Sequence, residues 1–142
     1  MKKFSIIAAF LFAVMISSTA LAADWAEVYS SAEDGFEAVY YVDKDSITRG
    51  IQSEKHNFSR PDGFTVMIKT ELKTKKPNPI IMYWLTGFFE ENGKPKYCIL
   101  DGLDAEGISH MKSSDKIVIE DVDGTKGECW PFVYDYCKKN LP

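Results

Sequence analysis

The stretch Phe64-Thr65-Val66-Met67-Ile68-Lys69-Thr70-Glu71-Leu72 decides the fold class. Phe64, Val66, Ile68 and Leu72 fall on one face, and Thr65, Lys69 and Glu71 on the other. A period of two marks a strand with one face on a core and one toward water. Downstream, Lys73 to Pro79 reads as a loop punctuated by Pro77 and Pro79. Ile80 to Phe89 (I-I-M-Y-W-L-T-G-F-F) is then apolar at nearly every position. Its β-branched and aromatic content predicts a central strand covered on both faces. Asn92-Gly93 is a hairpin signal, because both residues tolerate the left-handed backbone a tight turn needs. A return strand over Lys96 to Leu103, carrying Cys98, is expected after it.

Upstream, Trp25 to Ser30 reads as a first strand and Ser31 to Gly35 as a turn. Phe36 to Asp43 reads as a strand with Phe36, Ala38, Tyr40 and Val42 on one face. Asp43 to Ile47 is expected to form a tight turn or a single helical turn. Residues 48–63 are polar and hold Gly50, Pro61 and Gly63. They read as a long hairpin loop, with at most a short strand near Ile47 to Ile51. Toward the C-terminus, Asp104 to Ser114 reads as a loop and Lys116 to Glu120 as a short extended segment. Asp123-Gly124 breaks the chain, and Thr125 with Glu128 three residues on has the form of a capping box. Pro131 suits the first turn of a helix, which places the start near Trp130. Trp130, Val133, Tyr134, Cys137 and Leu141 recur at helical spacing, a stripe that docks the helix on a sheet. The expectation is an α+β domain: an antiparallel sheet of about five to six strands with a C-terminal helix packed on it.

The first residues read differently. Lys2 and Lys3 precede an apolar run from Phe4 to Ile16, and Ala20-Leu21-Ala22 supplies small residues at the end. Basic start, apolar middle and A-x-A end form a secretory signal pattern, with cleavage between Ala22 and Ala23. The run is shorter than the about 20 residues a membrane span needs. Residues 1–22 are therefore expected to be a signal peptide and 23–142 a single globular domain in the periplasm or outside the cell, with no membrane span after cleavage. Without Lys2 and Lys3 the chain carries 15 basic and 21 acidic residues. An acidic balance disfavours binding to nucleic acid, which wants a basic face. The densest cationic run, Lys73-Thr74-Lys75-Lys76, reads as a solvated loop.

The three cysteines are Cys98, Cys129 and Cys137. In an oxidising compartment two should pair. A helix over Cys129 and Cys137 separates them by about 12 Å, beyond the ~7 Å limit for a disulfide. Cys98 must then be one partner, and Cys98–Cys137 is the favoured bond. Cys129 is left as a small buried apolar residue or a reactive thiol.

No catalytic or metal constellation stands out. His56 and His110 lack a second ligand at zinc spacing, no nucleophile motif is present, and neither acidic segment, the one with Asp101, Asp104 and Glu106 or Asp121-Val122-Asp123-Gly124, has the calcium-loop pattern. No cofactor is expected. Aromatic residues are the one enrichment, and Trp25, Tyr41 and Trp84 are the candidate binding aromatics.

Trp25-Ala26-Glu27-Val28-Tyr29 and Tyr40-Tyr41-Val42-Asp43-Lys44-Asp45-Ser46-Ile47, with Arg49, resemble the surface-adhesin protein E family of small exported bacterial proteins. Gly127-Glu128 with Tyr134-Asp135-Tyr136-Cys137 is similar to the ending of related exported proteins. The resemblance covers about a third of the exported chain and implies an antiparallel sheet with helix. Some members are adhesins that bind host matrix proteins. The shared motifs are strand, turn and cysteine positions, so no binding residue is carried over. This chain departs from the family in having no cysteine in residues 1–30 and in its 51–62 segment.

Three functions follow as expectations. The first is an exported non-enzymatic binding domain whose partner is a protein or cell-envelope component. The second is a small periplasmic enzyme using loop carboxylates such as Asp101, Asp104 and Asp115. The third is an inhibitor of an exported enzyme, presenting the 51–62 loop.

Overall fold

The computed structural model describes residues 24–124 and 128–142. The expected signal segment, its Ala22–Ala23 cleavage pair, and Thr125 of the expected capping box lie outside these residues. Seven strands run in chain order: β1 (Trp25–Glu33), β2 (Phe36–Asp43), β3 (Thr48–Ser53), β4 (Phe58–Lys73), β5 (Ile80–Glu91), β6 (Lys94–Asp104) and β7 (Ile119–Asp121). One helix, α1 (Cys129–Lys139), follows. The strands form one antiparallel sheet in the order β1-β2-β4-β5-β6-β7. β3 pairs with the first half of β4, on the edge that β2 occupies farther along. The α+β expectation holds in its coarse form, with a richer sheet than the five to six strands expected.

β3 falls where the sequence allows a short strand near Ile47 to Ile51, while the start of β4 comes from residues that read as loop. β3 and the start of β4 form a hairpin because Gly50, at φ 88°, takes up a bulge facing Pro61-Asp62-Gly63. A bulge is where a strand tolerates a proline, which has no N–H for the ladder. The hairpins β1–β2 and β5–β6 close through Asp34-Gly35 and Asn92-Gly93, all four at positive φ. Between β2 and β3, a single 3-10 turn over Lys44–Ser46 makes the corner. Asp43 Oδ1 accepts the Asp45 N–H at 3.1 Å, and Ser46 Oγ donates to the Asp43 carbonyl at 2.7 Å. Ser46 Oγ also accepts the Met67 N–H at 2.8 Å, pinning the corner to β4. The Asp43–Ile47 stretch is thus a structural corner.

Alternation divides the core between the two faces of the sheet. One face carries Val42, Phe64, Val66, Ile68, Phe88 and Tyr97, and α1 packs on it through Val133 and Cys137. The expected helical stripe does this work: Trp130 stacks on Tyr97 with centroids 3.9 Å apart, and Tyr134 meets Phe88 at 5.7 Å. Lys138 and Lys139 in the last turn complement the helix dipole. At the other end, the Glu128 side chain makes no capping bond. Its carboxylate accepts the Tyr29 hydroxyl at 2.9 Å and ties the helix start to β1. The other face of the sheet holds a smaller cluster of Ile51, Phe89, Cys98 and Leu100, with Ile117 against it.

This division places the two cysteines of the expected Cys98–Cys137 bond on different faces. Adjacent β6 residues point to opposite faces, so Tyr97 joins the helix side and Cys98 the far side. Cys137 lies beneath α1 on the helix side. The sheet stands between the two thiols, and all three cysteines are free and buried. Burial pushes the thiols up to about 11 at Cys98 and Cys129 and about 12 at Cys137. A protonated thiol is a poor nucleophile.

Candidate ligand-binding groove

Register places the helix-side residues in rows across the strands. Phe64, Phe88 and Tyr97 form one row, directly under the helix. Val42, Ile68, Trp84 and Gly102 form another. Beyond it come Tyr40, Thr70 and Met82, and then Ala38, Leu72 and Ile80. An 11-residue helix is about 16 Å long, too short to cover every row. The last two rows are left bare, and with Trp84 they floor an apolar groove of about 430 Å³. Ile99 closes one side, and Cys129 and Trp130 at the helix start form the end wall. Its size falls in the range of small-molecule sites, about 300–1,000 Å³.

The floor is preorganised. Trp84 Nε1 donates to Thr70 Oγ1 at 3.0 Å. The other edge of the indole lies over Gly102, where a Cβ would come within 3.0 Å of the ring. The indole therefore lies flat across three strands only because position 102 carries no side chain. The Thr70 hydroxyl on the floor is thus already engaged. The Tyr40 hydroxyl lies beside the Cys129 thiol, and burial first, with Cys129 after it, raises the pKa of the phenol. Glu71 alternates away from the groove and pairs with Lys69 at 3.4 Å. At the end farthest from the helix the apolar surface continues through Phe36 and Ile80, each 55% exposed. Here a second hollow of about 470 Å³ opens beside Asp34, Lys75 and Lys76.

The three candidate aromatics do not converge. Trp84 lies in the groove. Trp25 and Tyr41 lie on the other face of the sheet, where the Lys69 ammonium sits 5.1 Å from the Trp25 ring and 4.5 Å from the Tyr41 ring. Tyr83, buried, packs on Trp25 at 5.8 Å. An internal cation already occupies these ring faces.

The loop carboxylates hold their own segment together. Asp101 accepts from Ser109 Oγ at 2.5 Å and lies 3.5 Å from Lys55 Nζ. Asp104 accepts the Glu106 and Ile108 N–H groups, each at 3.0 Å, and faces His110 Nε2 at 3.0 Å. The Ile108 N–H first, and His110 after it, hold the Asp104 carboxyl below its ordinary value. Asp115 caps the Lys112 N–H at 2.7 Å. The 51–62 segment is the β3–β4 hairpin, and its tip is tied down. Lys55 reaches Ser109 and the Met111 carbonyl. Both His56 ring nitrogens face carbonyls, those of Asp115 and Leu100. Among the described residues, no three His, Cys, Asp or Glu side chains gather to hold a metal, and no helix is long and apolar enough to cross a membrane.

Sequence reasoning assigned Ala38 and Leu72 to apolar strand faces without seeing that those faces outrun the helix. The usable signal was the mismatch between a short helical stripe and three long apolar strand faces. Comparison of this chain with protein-family models, with curated proteins and with solved structures finds no match.

Proposed function

We propose that this chain is an exported, non-enzymatic, adhesin-like binding domain of the periplasm or cell exterior, and that the groove beside the helix start is where it takes up the apolar part of a protein or cell-envelope partner. The observation that carries this reading is the bare apolar floor formed by the rows Ala38–Leu72–Ile80 and Tyr40–Thr70–Met82. Contiguous apolar surface of this kind marks ligand or partner sites. The floor is rigid because it consists of paired strands. Export rests on the basic, apolar and small-residue succession of residues 2–22. The resemblance of the Trp25–Tyr29 and Tyr40–Ile47 stretches to surface-adhesin protein E adds support for a binding role.

The test is uptake of a neutral apolar fluorophore, N-phenylnaphthylamine, by the purified protein. One saturable site is expected, and Ala38→Trp should fill the groove and abolish uptake while the circular dichroism spectrum is retained. Uptake that survives Ala38→Trp would place the site elsewhere and refute the reading.

A further inference from the structure

Resting on the reading of the groove as the binding site, we infer that its ligand is a single-chain anionic amphiphile, with its alkyl chain on the bare rows and its head group at Lys75 and Lys76. The floor selects the chain. Tyr40 and Thr70 carry its hydroxyls: Thr70 Oγ1 accepts the Trp84 N–H, and Tyr40 lies beside Cys129. The strands beneath are paired with one another. A peptide or sugar laid there would bury donors and acceptors without partners, which is unfavourable. An alkyl chain has none to leave unpaired.

The mouth selects the head group. Phe36 and Ile80 carry the apolar surface out of the groove to the hollow shared by Asp34, Lys75 and Lys76. Among the described residues, neither ammonium has an ion-pair partner. The neighbouring Lys73 is engaged with Glu37 at 3.9 Å. Glu33 and Glu37 line a neighbouring hollow at the β1–β2 turn, which shares Asp34, Gly35, Phe36 and Thr74 with this one and on which Lys73 also borders. The lining of the mouth itself holds two ammonium groups against the single Asp34 carboxylate, on a chain whose formal net charge is −4. That local reversal of sign complements an anion at the end of an apolar chain.

The experiment compares decanoate, decanol and decyltrimethylammonium by isothermal titration calorimetry, with Trp84 and Trp130 fluorescence as a second readout. Decanoate is expected to bind best of the three, and dodecanoate to bind tighter by about fourfold per added methylene. The double substitution Lys75→Ala, Lys76→Ala should weaken decanoate by about three- to tenfold and leave decanol unchanged. Equal or tighter binding of decyltrimethylammonium, or a double variant that affects decanoate and decanol alike, would overturn the head-group assignment. If decanol is still excluded by Ala38→Trp in that case, the groove stands and only the anionic ligand falls. If no amphiphile binds and N-phenylnaphthylamine uptake ignores Ala38→Trp, the groove reading falls as well.

Discussion

The Trp84 indole N–H donates to Thr70 Oγ1 at 3.0 Å across two strands, and this bond sets the floor of the groove. Thr70→Val leaves the N–H without its acceptor. We expect a loss of about 1–2 kcal/mol in urea unfolding, together with weaker N-phenylnaphthylamine uptake as the ring loses its fixed position. Unchanged uptake would separate the indole from binding.

Gly102 makes the same point from the other side of the ring. An added Cβ lies 3.0 Å from Trp84, so Gly102→Ala must shift the indole by a few tenths of an ångström. We expect a cost of about 1–3 kcal/mol and a shift in tryptophan emission. An emission spectrum matching that of the parent protein would contradict the packing described.

Asp43 yields a prediction with a definite sign. Its burial raises the carboxyl pKa, against the opposing bonds from the Asp45 and Ser46 backbone. A folded carboxyl that holds its proton more tightly than the unfolded one gains stability as pH falls through the folded value. Asn keeps the oxygen that caps the 3-10 turn and removes the buried charge. Asp43→Asn should therefore match or exceed the parent in stability at pH 7, with any advantage shrinking toward pH 4. Asp43→Ala loses the cap as well and should cost about 0.5–2 kcal/mol. An Asn variant as unstable as the Ala variant would show that the charge itself is required.

Asp104 behaves in the opposite sense. Its pKa is lowered by the Ile108 N–H and by His110, so its contribution is present above the ordinary carboxylate pKa and lost as pH falls through the lowered folded value. Asp104→Asn should flatten that acid limb and speed amide exchange at Glu106 and Ile108. Exchange that is unaltered in the variant would count against the role assigned to this carboxylate.

The thiols are checked by mass. Burial raises all three thiol pKa values to about 11 or 12, so alkylation of the folded protein at pH 7 should be slow. In denaturant, three alkyl groups per chain are expected. A chain that takes up only one alkyl group after unfolding would hold a disulfide and would require a different disposition of Cys98 and Cys137.

Much of the sheet was readable residue by residue. The alternation from Phe64 to Leu72, the two-sided apolar run from Ile80 and the Asn92-Gly93 turn each obey a local rule, and each appears in place. Within residues 48–63 the hairpin and a short strand near Ile51 were legible, but the extension of β4 back to Phe58 was not, because Gly50, Pro61 and Gly63 are loop residues by local preference. Only pairing of Thr48–Ser53 with β4 makes them a bulged hairpin. The side on which Cys98 falls depends on the parity of β6, one residue from Tyr97, and helix spacing alone carries no such information. Of the three candidate binding aromatics, Trp84 lies in the groove, whereas Trp25 and Tyr41 are held by Lys69 on the far face. The groove is a difference between the footprint of α1 and the length of β2, β4 and β5, a quantity that no single segment encodes.

The central claim is that ligands enter the bare helix-side floor. The direct measurement is amide and methyl chemical-shift mapping of the isotope-labelled protein during titration with N-phenylnaphthylamine. The account predicts saturating shifts confined to Ala38, Tyr40, Leu72, Ile80, Met82 and Trp84, with Tyr41, Lys69 and Tyr83 on the far face unmoved. Shifts centred on Tyr41 and Lys69, with Ala38 and Met82 silent, would contradict it.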